Sequence, residues 1–170
     1  MTISVTRTKS KNKSLGYKIL MKNIKKIVII FALLLMALIF FIISPQKKSN
    51  NTVCFEGSCI DVELAITPKE IKIGLMDRTS LPENMGMLFI FDEGGIHKLW
   101  MKNTLIPLDM IWLDENGKII YIEKNAQPCY VPVCPAFGPE FSSRYELEVN
   151  GGYTERYKIN VGDKARINIE

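Results

Sequence analysis

Residues 85–118 read MGMLFIFDEGGIHKLWMKNTLIPLDMIWLDENGK. The stretch sets three apolar, strand-like runs around one dense polar insert, Trp100-Met101-Lys102-Asn103-Thr104, followed by Pro107-Leu108-Asp109. Its spacing predicts strands at Met87–Phe91, at about His97–Lys102 and at Leu108–Leu113. Asn116-Gly117 then supplies the turn of a hairpin that returns as Lys118–Glu123. Runs this apolar on either side of the insert leave little room for a fully solvated loop, so a lysine, an asparagine or an aspartate must lie close to core residues. That makes the insert the candidate site.

Working outward, the same alternation recurs. Thr52–Ala65 reads as a hairpin turning at Glu56-Gly57, with Ile60, Val62 and Leu64 alternating with Asp61 and Glu63. Thr67-Pro68-Lys69-Glu70 combines an N-cap threonine, a proline at the first helical position and a glutamate three residues after the cap, which predicts a short helix from Pro68 to about Asp77. Residues 125–143 hold four prolines and two cysteines and are expected to form neither a helix nor a central strand. Arg144–Val149 reads as a strand, Tyr153–Lys158 as a helical turn, and Lys164–Ile169 as a last strand. Seven or eight short strands with one or two short helices define a mainly β fold over residues 52–170, expected as a compact antiparallel β-sandwich or barrel-like domain.

The N-terminal part is of another kind. Residues 1–48 carry ten Lys and Arg and no acid, whereas the remainder carries twelve bases against eighteen acids, a net −6. An acidic domain has no electrostatic footprint for a phosphate backbone, so nucleic acid is not an expected partner. Ile27–Ile43 is an uncharged apolar run of seventeen residues, extended by Ser44–Gln46 to the length of a membrane-spanning helix. The basic tail 1–26, with eight bases from Arg7 to Lys26 against Lys47 and Lys48 beyond the run, places the N-terminus in the cytoplasm and everything after residue 46 outside. Residues 47–51 form a short polar linker. The competing reading of residues 21–46, a cleaved signal peptide, lacks a small-x-small cleavage site, so the expectation is a single-pass anchor in the lipid bilayer through residues 27–46. Met21 is an alternative start.

All four cysteines lie beyond that segment, as two Cys-x4-Cys pairs. An oxidising compartment and short spacing favour the disulfides Cys54–Cys59 and Cys129–Cys134 over a four-thiolate zinc site, although four cysteines allow three connectivities.

Several ordered motifs resemble a known family. Gly74-Leu75-Met76-x-Arg78, Gly86-Met87-x-Phe89-x-Phe91 and Trp100-Met101-Lys102-Asn103-Thr104-x-x-Pro107-Leu108-Asp109 are similar to the signature of the family called domain of unknown function 192. The resemblance continues through Pro128-Cys129-x4-Cys134-Pro135, Tyr145-x-Leu147-Glu148 and Gly162-Asp163, and covers roughly residues 58–170. It implies a small β-rich domain and supplies no reaction. Gly151-Gly152 doubles what is usually a single glycine there, and Leu99 replaces an aromatic.

Among polar residues, Arg78, Lys102 and Asp109 are expected to converge, with Asp109 held by one or both cations. One reading makes them a partly buried ion-pair network tying the helix end to the sheet. Another makes Arg78, Trp100, Lys102, Asn103 and Asp109 a pocket for an anion or carboxylate, with Trp100 as an apolar wall. Trp112, Tyr121, Tyr130 and Phe137 are candidate stacking surfaces for sugars, or else ordinary sheet packing. His97 is the single histidine, and with Met85, Met87 and Met101 it could make only a soft copper site; core packing is the plainer role, and neither metal nor cofactor is expected. No nucleophile, base and orienting group occur at catalytic spacing. The function expected is a noncatalytic extracytoplasmic module for a small anionic or saccharide ligand or an envelope protein; the alternative is a small enzyme acting on envelope material.

Overall fold

The computed structural model describes residue 21, residues 23–36 and residues 51–170. Two units separate at Lys47. In the first, residues 23–36 form helix α1, whose apolar side chains, Ile27 to Met36 among them, are exposed. The remainder of the expected anchor, residues 37–46, lies outside the described residues, as do most of the basic tail and the linker. Among the described residues no helix is long and apolar enough to cross a membrane.

The second unit contains strands β1 (Thr52–Phe55), β2 (Ser58–Ala65), helix α2 (Pro68–Ile73), β3 (Met85–Gly95), β4 (Leu99–Trp100), β5 (Leu108–Leu113), β6 (Ile119–Ala126), β7 (Ala136–Phe137), β8 (Ser143–Asn150), helix α3 (Tyr153–Arg156) and β9 (Arg166–Asn168). Seven strands form one curled sheet in the order β6-β5-β8-β3-β2-β1-β9, and β4 pairs with β7 as a separate ribbon. The mainly β expectation holds at this level; two details are corrected. Among the described residues the curled sheet fits the barrel-like alternative and not the sandwich, and it is mixed rather than antiparallel, because β2 and β3 run parallel, Leu64 beside Leu88. Parallel neighbours need a crossover, and α2 with the chain up to Asn84 supplies it. The helix ends at Gly74, short of Asp77, but its start is as expected: the Thr67 hydroxyl accepts from Glu70 N at 3.3 Å while the Glu70 carboxylate accepts from Thr67 N at 2.8 Å.

The sheet curls far enough that its two ends touch. Ile119 N donates to Asp163 O and Ala165 N to Gly117 O, both at 2.8 Å, and Lys118 bridges antiparallel to Lys164. Gly117 permits this contact, since a Cβ there would lie 2.5 Å from the Ala165 carbonyl oxygen and its φ is +77°. The hydrophobic interior follows the pleat. Val62, Leu88, Ile111, Leu113, Leu147 and Val149 fill one face. Met87, Phe89, Phe91, Met110 and Trp112 fill the other, beneath a roof made by Leu75, Leu81 and Met101. Strand β5 is buried along its whole length, Asp109 included.

Candidate functional site

The polar insert does not stand alone. Leu99 pairs with Phe137 and Trp100 with Ala136, Lys102 bridges to Cys129, and Cys129 N donates to Met101 O at 3.2 Å. The insert and the proline-rich segment are thereby one ribbon. Cys129 is bonded to Cys134, closing the loop between them, as Cys54 is to Cys59 across the first hairpin, where the two cysteines face each other in register. Both pairings are those the spacing predicts. Between the end of β6 at Ala126 and the start of β8 at Ser143, the proline-rich segment forms no helix and contains the two-residue strand β7. Trp100 is 43% exposed, with the Lys102 ammonium 5.4 Å from its ring centroid. Asn103 adopts φ +56°, and its carbonyl accepts from Asp77 N at 2.8 Å, tying the insert to the turn that carries Arg78.

Next to this ribbon opens a cleft of about 570 Å³, lined by Glu123, Asn125, Gln127, Tyr130, Pro135 and Phe137 among others. Tyr130 is 72% exposed at its edge. The Glu123 carboxylate accepts from the Tyr121 hydroxyl at 2.7 Å, and that bond holds the phenol above its usual pKa. Gln127 Nε2 donates to Asn125 O at 2.8 Å. The wall thus offers two amides, a carboxylate, a phenol and aromatic faces.

Asp109 is entirely buried, and the expectation that Arg78 or Lys102 holds it is overturned. Its Oδ1 accepts from Asn125 N at 2.8 Å and Gly152 N at 3.0 Å; its Oδ2 accepts from Thr154 N at 2.8 Å and Thr154 Oγ1 at 2.6 Å. Oriented N–H and hydroxyl donors stabilise a carboxylate away from water as a cation would. The reason Arg78 is not among them is the period of two along β5: Asp109 shares its face with Ile111 and Leu113, whereas Arg78 works on the face of Met110 and Trp112. The doubled glycine belongs to this arrangement. Gly151 N donates to Pro107 O, a Cβ at Gly151 would lie 2.7 Å from the Asn125 side chain, and Gly152 takes φ +85° to present its N–H. Through Asn125, Asp109 positions one wall of the cleft without lining it.

Arg78 donates through Nη1 and Nη2 to the two carboxylate oxygens of Glu63 at 2.6 Å each. That bond depresses the Glu63 pKa and raises that of Arg78. With its guanidinium committed there and Asp109 on the opposite face, the five residues expected as one anion pocket form no such pocket. Trp112 and Tyr121 are also not sugar platforms: Trp112 is fully buried and Tyr121 meets it edge-on at 5.4 Å. His97 stacks on Phe91 with centroids 3.7 Å apart, and Met87 and Met101 are core residues. Among the described residues no group of three or more His, Cys, Asp or Glu could hold a metal ion.

Two residues to which the sequence assigns no role are Glu146 and Glu148, although Glu148 closes the motif Tyr145-x-Leu147-Glu148. They alternate with Leu147 and Val149 on β8, so they point into the Met87–Trp112 face, and both are buried. Burial pushes Glu148 up to about 8 against the opposing pull of Arg78; burial, and then the charge of Glu148, push Glu146 well above the carboxylate range. Their alternation with Leu147 and Val149 reads equally as a half-exposed strand. Apart from these sites, a cavity of about 640 Å³ opens at the closing seam, lined by Phe55, Glu56, Glu115, Tyr145, Lys164 and Arg166 among others.

Two crystal structures resemble the domain. One, from Sinorhizobium meliloti and described as a "putative transcription regulator", is 31% identical, with 72% of this chain and 98% of that chain covered and a TM-score of 0.64. The other, a protein of unknown function from Novosphingobium aromaticivorans, is 33% identical over 68% of this chain and 82% of that one, with a TM-score of 0.62. No curated protein matches the chain. The family model for domain of unknown function 192, described as "Uncharacterized ACR", matches residues 51–167, the span that contains the insert, both disulfides and the buried glutamates, and the chain therefore belongs to that family.

Proposed function

We propose that the protein is a noncatalytic saccharide-binding module held outside the cell membrane by residues 27–46, with its N-terminus in the cytoplasm. The observation that carries the ligand class is the cleft beside the Cys129–Cys134 loop, where aromatic faces (Tyr130, Phe137) and amides (Asn125, Gln127) share one wall. Sugars present apolar ring faces edged by hydroxyls, and such a wall meets both demands: stacking for the faces, and amide and carboxylate groups for the hydroxyls. Lys102, beside Trp100 on the adjoining ribbon, favours a polymer that carries negative charge. The membrane location is supported by the apolar run, the basic flank before it and two disulfides after it. Transcription control, named for the Sinorhizobium protein, is disfavoured here by the net −6 of residues 49–170. An enzyme acting on envelope material is the second reading: the two glutamates with raised pKa are buried and do not line the cleft, and the carboxylate that does, Glu123, accepts a hydrogen bond from the Tyr121 hydroxyl.

The test uses the full-length chain in detergent micelles against immobilised neutral and anionic envelope polysaccharides. Binding is expected to at least one, with Tyr130→Ala and Gln127→Ala each weakening it about tenfold or more and the remote Glu155→Ala leaving it unchanged. No binding to any polysaccharide, or equal binding by Tyr130→Ala, overturns the reading.

A further inference from the structure

Glu146 and Glu148 are used by nothing in the cleft, and their setting is unusual. They occupy the centre of the sheet, with Phe89 and Met87 beside them on β3 and Trp112 and Met110 beside them on β5. Among the described residues neither carboxyl oxygen of Glu146 has a hydrogen-bond partner, and nor does Nε1 of Trp112, its neighbour in register. Residues 74–81 form the roof: a methyl group at Gly74 would meet Glu148 Oε2 at 3.8 Å and the Phe89 ring at 3.0 Å. Charged groups around the pair are few. β2 contributes Glu63, and the roof contributes Arg78 and the exposed Asp77; the insert has Lys102, stacked on Trp100. Next to the pair β3 and β5 contribute none, and β6 contributes Tyr121 and Glu123 beyond Trp112.

We propose that Glu146 and Glu148 form a proton-binding site that latches the roof segment 74–81 onto the sheet. With protons on the pair, the carboxyls are neutral and the roof packs over them through Leu75 and Leu81. Loss of a proton to solvent base leaves a charge in an apolar layer, where water or a cation must reach it. The nearest cation is Arg78, whose pull on Glu148 is already felt across the layer but whose donors are given to Glu63. Deprotonation therefore draws Arg78 toward Glu148, weakens its bond to Glu63 and loosens the roof. The Asp77 N to Asn103 O bond passes that loosening to the polar insert. Glu148, which burial pushes up to about 8, places the event near neutral to mildly alkaline pH, and burial raises Glu146 as well. The latch is a property of the domain without ligand and does not depend on what the cleft binds.

The experiment is amide hydrogen exchange of the full-length chain in detergent micelles between pH 5 and pH 9, expressed as protection factors that remove the intrinsic pH dependence. Protection in peptides covering 74–81 and 100–106 is expected to fall about tenfold or more across that range, while β5 peptides keep theirs. Glu146→Gln and Glu148→Gln, separately and together, mimic the protonated state and should flatten the fall, and Arg78→Met should move its midpoint to higher pH. Carbon-13 carboxyl shifts of the unaltered protein provide a second readout: two glutamates are expected to remain protonated at pH 6. Constant roof protection in the wild type, the same fall in the double Gln variant, or titration of every glutamate near 4.5 overturns the proposal.

Discussion

Asp109 and Glu148 are buried on opposite faces of one sheet, and their neighbours give them opposite characters. Asp109 is met by four donors from the Asn125 and Gly152–Thr154 turns, so its removal strands backbone N–H groups out of water; Asp109→Ala is expected to lower unfolding free energy by about 3 kcal/mol. Arg78→Met breaks a bond whose two side chains are 34% and 40% exposed, and solvent screening holds its cost to about 1 kcal/mol or less. Because the two lie on different faces with no shared partner, the double variant should lose the sum of the single losses; a coupling above about 0.5 kcal/mol in denaturant titrations would argue against this separation. The pH dependence has two limbs. Glu63, with its pKa depressed, contributes stability above the ordinary carboxylate value of 4.5 that is lost as pH falls below it. Glu146 and Glu148, with pKa values raised, bind protons more tightly folded than unfolded, so stability falls as pH rises from 4.5 toward 8. Melting temperature is expected to peak at mildly acidic pH, and the double Glu146→Gln, Glu148→Gln variant should lose the alkaline limb alone.

At the scale of elements, the disulfides act on two kinds of structure. Cys54–Cys59 closes a hairpin that already has a two-residue turn and cross-strand pairing. Cys129–Cys134 closes a loop that carries Tyr130 and Val131 and has no ladder of its own until Ala136. Each small loop stabilises by roughly 2 kcal/mol through the unfolded chain. Loss of the second should also disorder the cleft wall. Cys129→Ser with Cys134→Ser is therefore expected to lower the denaturation midpoint and to abolish polysaccharide binding, whereas the Cys54→Ser, Cys59→Ser pair lowers the midpoint and leaves binding in place. Peptide mapping without reduction checks the premise; crossed peptides or free thiols would contradict it.

For the molecule as a whole, a basic N-terminal segment precedes an acidic domain, and the uncharged stretch 27–46 lies between them. An uncleaved anchor predicts that the protein sediments with membranes, resists extraction by high salt, and keeps residues before Lys47 in its mature form. A mature N-terminus at or beyond Lys47, read by mass spectrometry, would convert the anchor into a leader and leave the domain free.

The sequence alone determined the elements whose causes are local. The Glu-Leu-Glu-Val alternation in β8, the Asn116-Gly117 turn and the Thr67 capping box each arise from residues within a few positions of one another, and each appears in the structure. The two disulfides were also legible, since a separation of five residues brings both cysteines of each pair within reach whatever the rest of the chain does. What the tertiary structure decided was which face meets which roof. A period of two says that Asp109 and Met110 point opposite ways, but only the curl of the sheet and the crossover after β2 determine that Arg78 reaches Glu63, on the face of Glu148, rather than Asp109. For the same reason Glu146 and Glu148 read as the solvent side of an amphipathic strand until the segments around Leu75 and Met101 are folded over them. Burial is a property of what covers a face, and the covering chain lies 40 to 75 residues away in sequence.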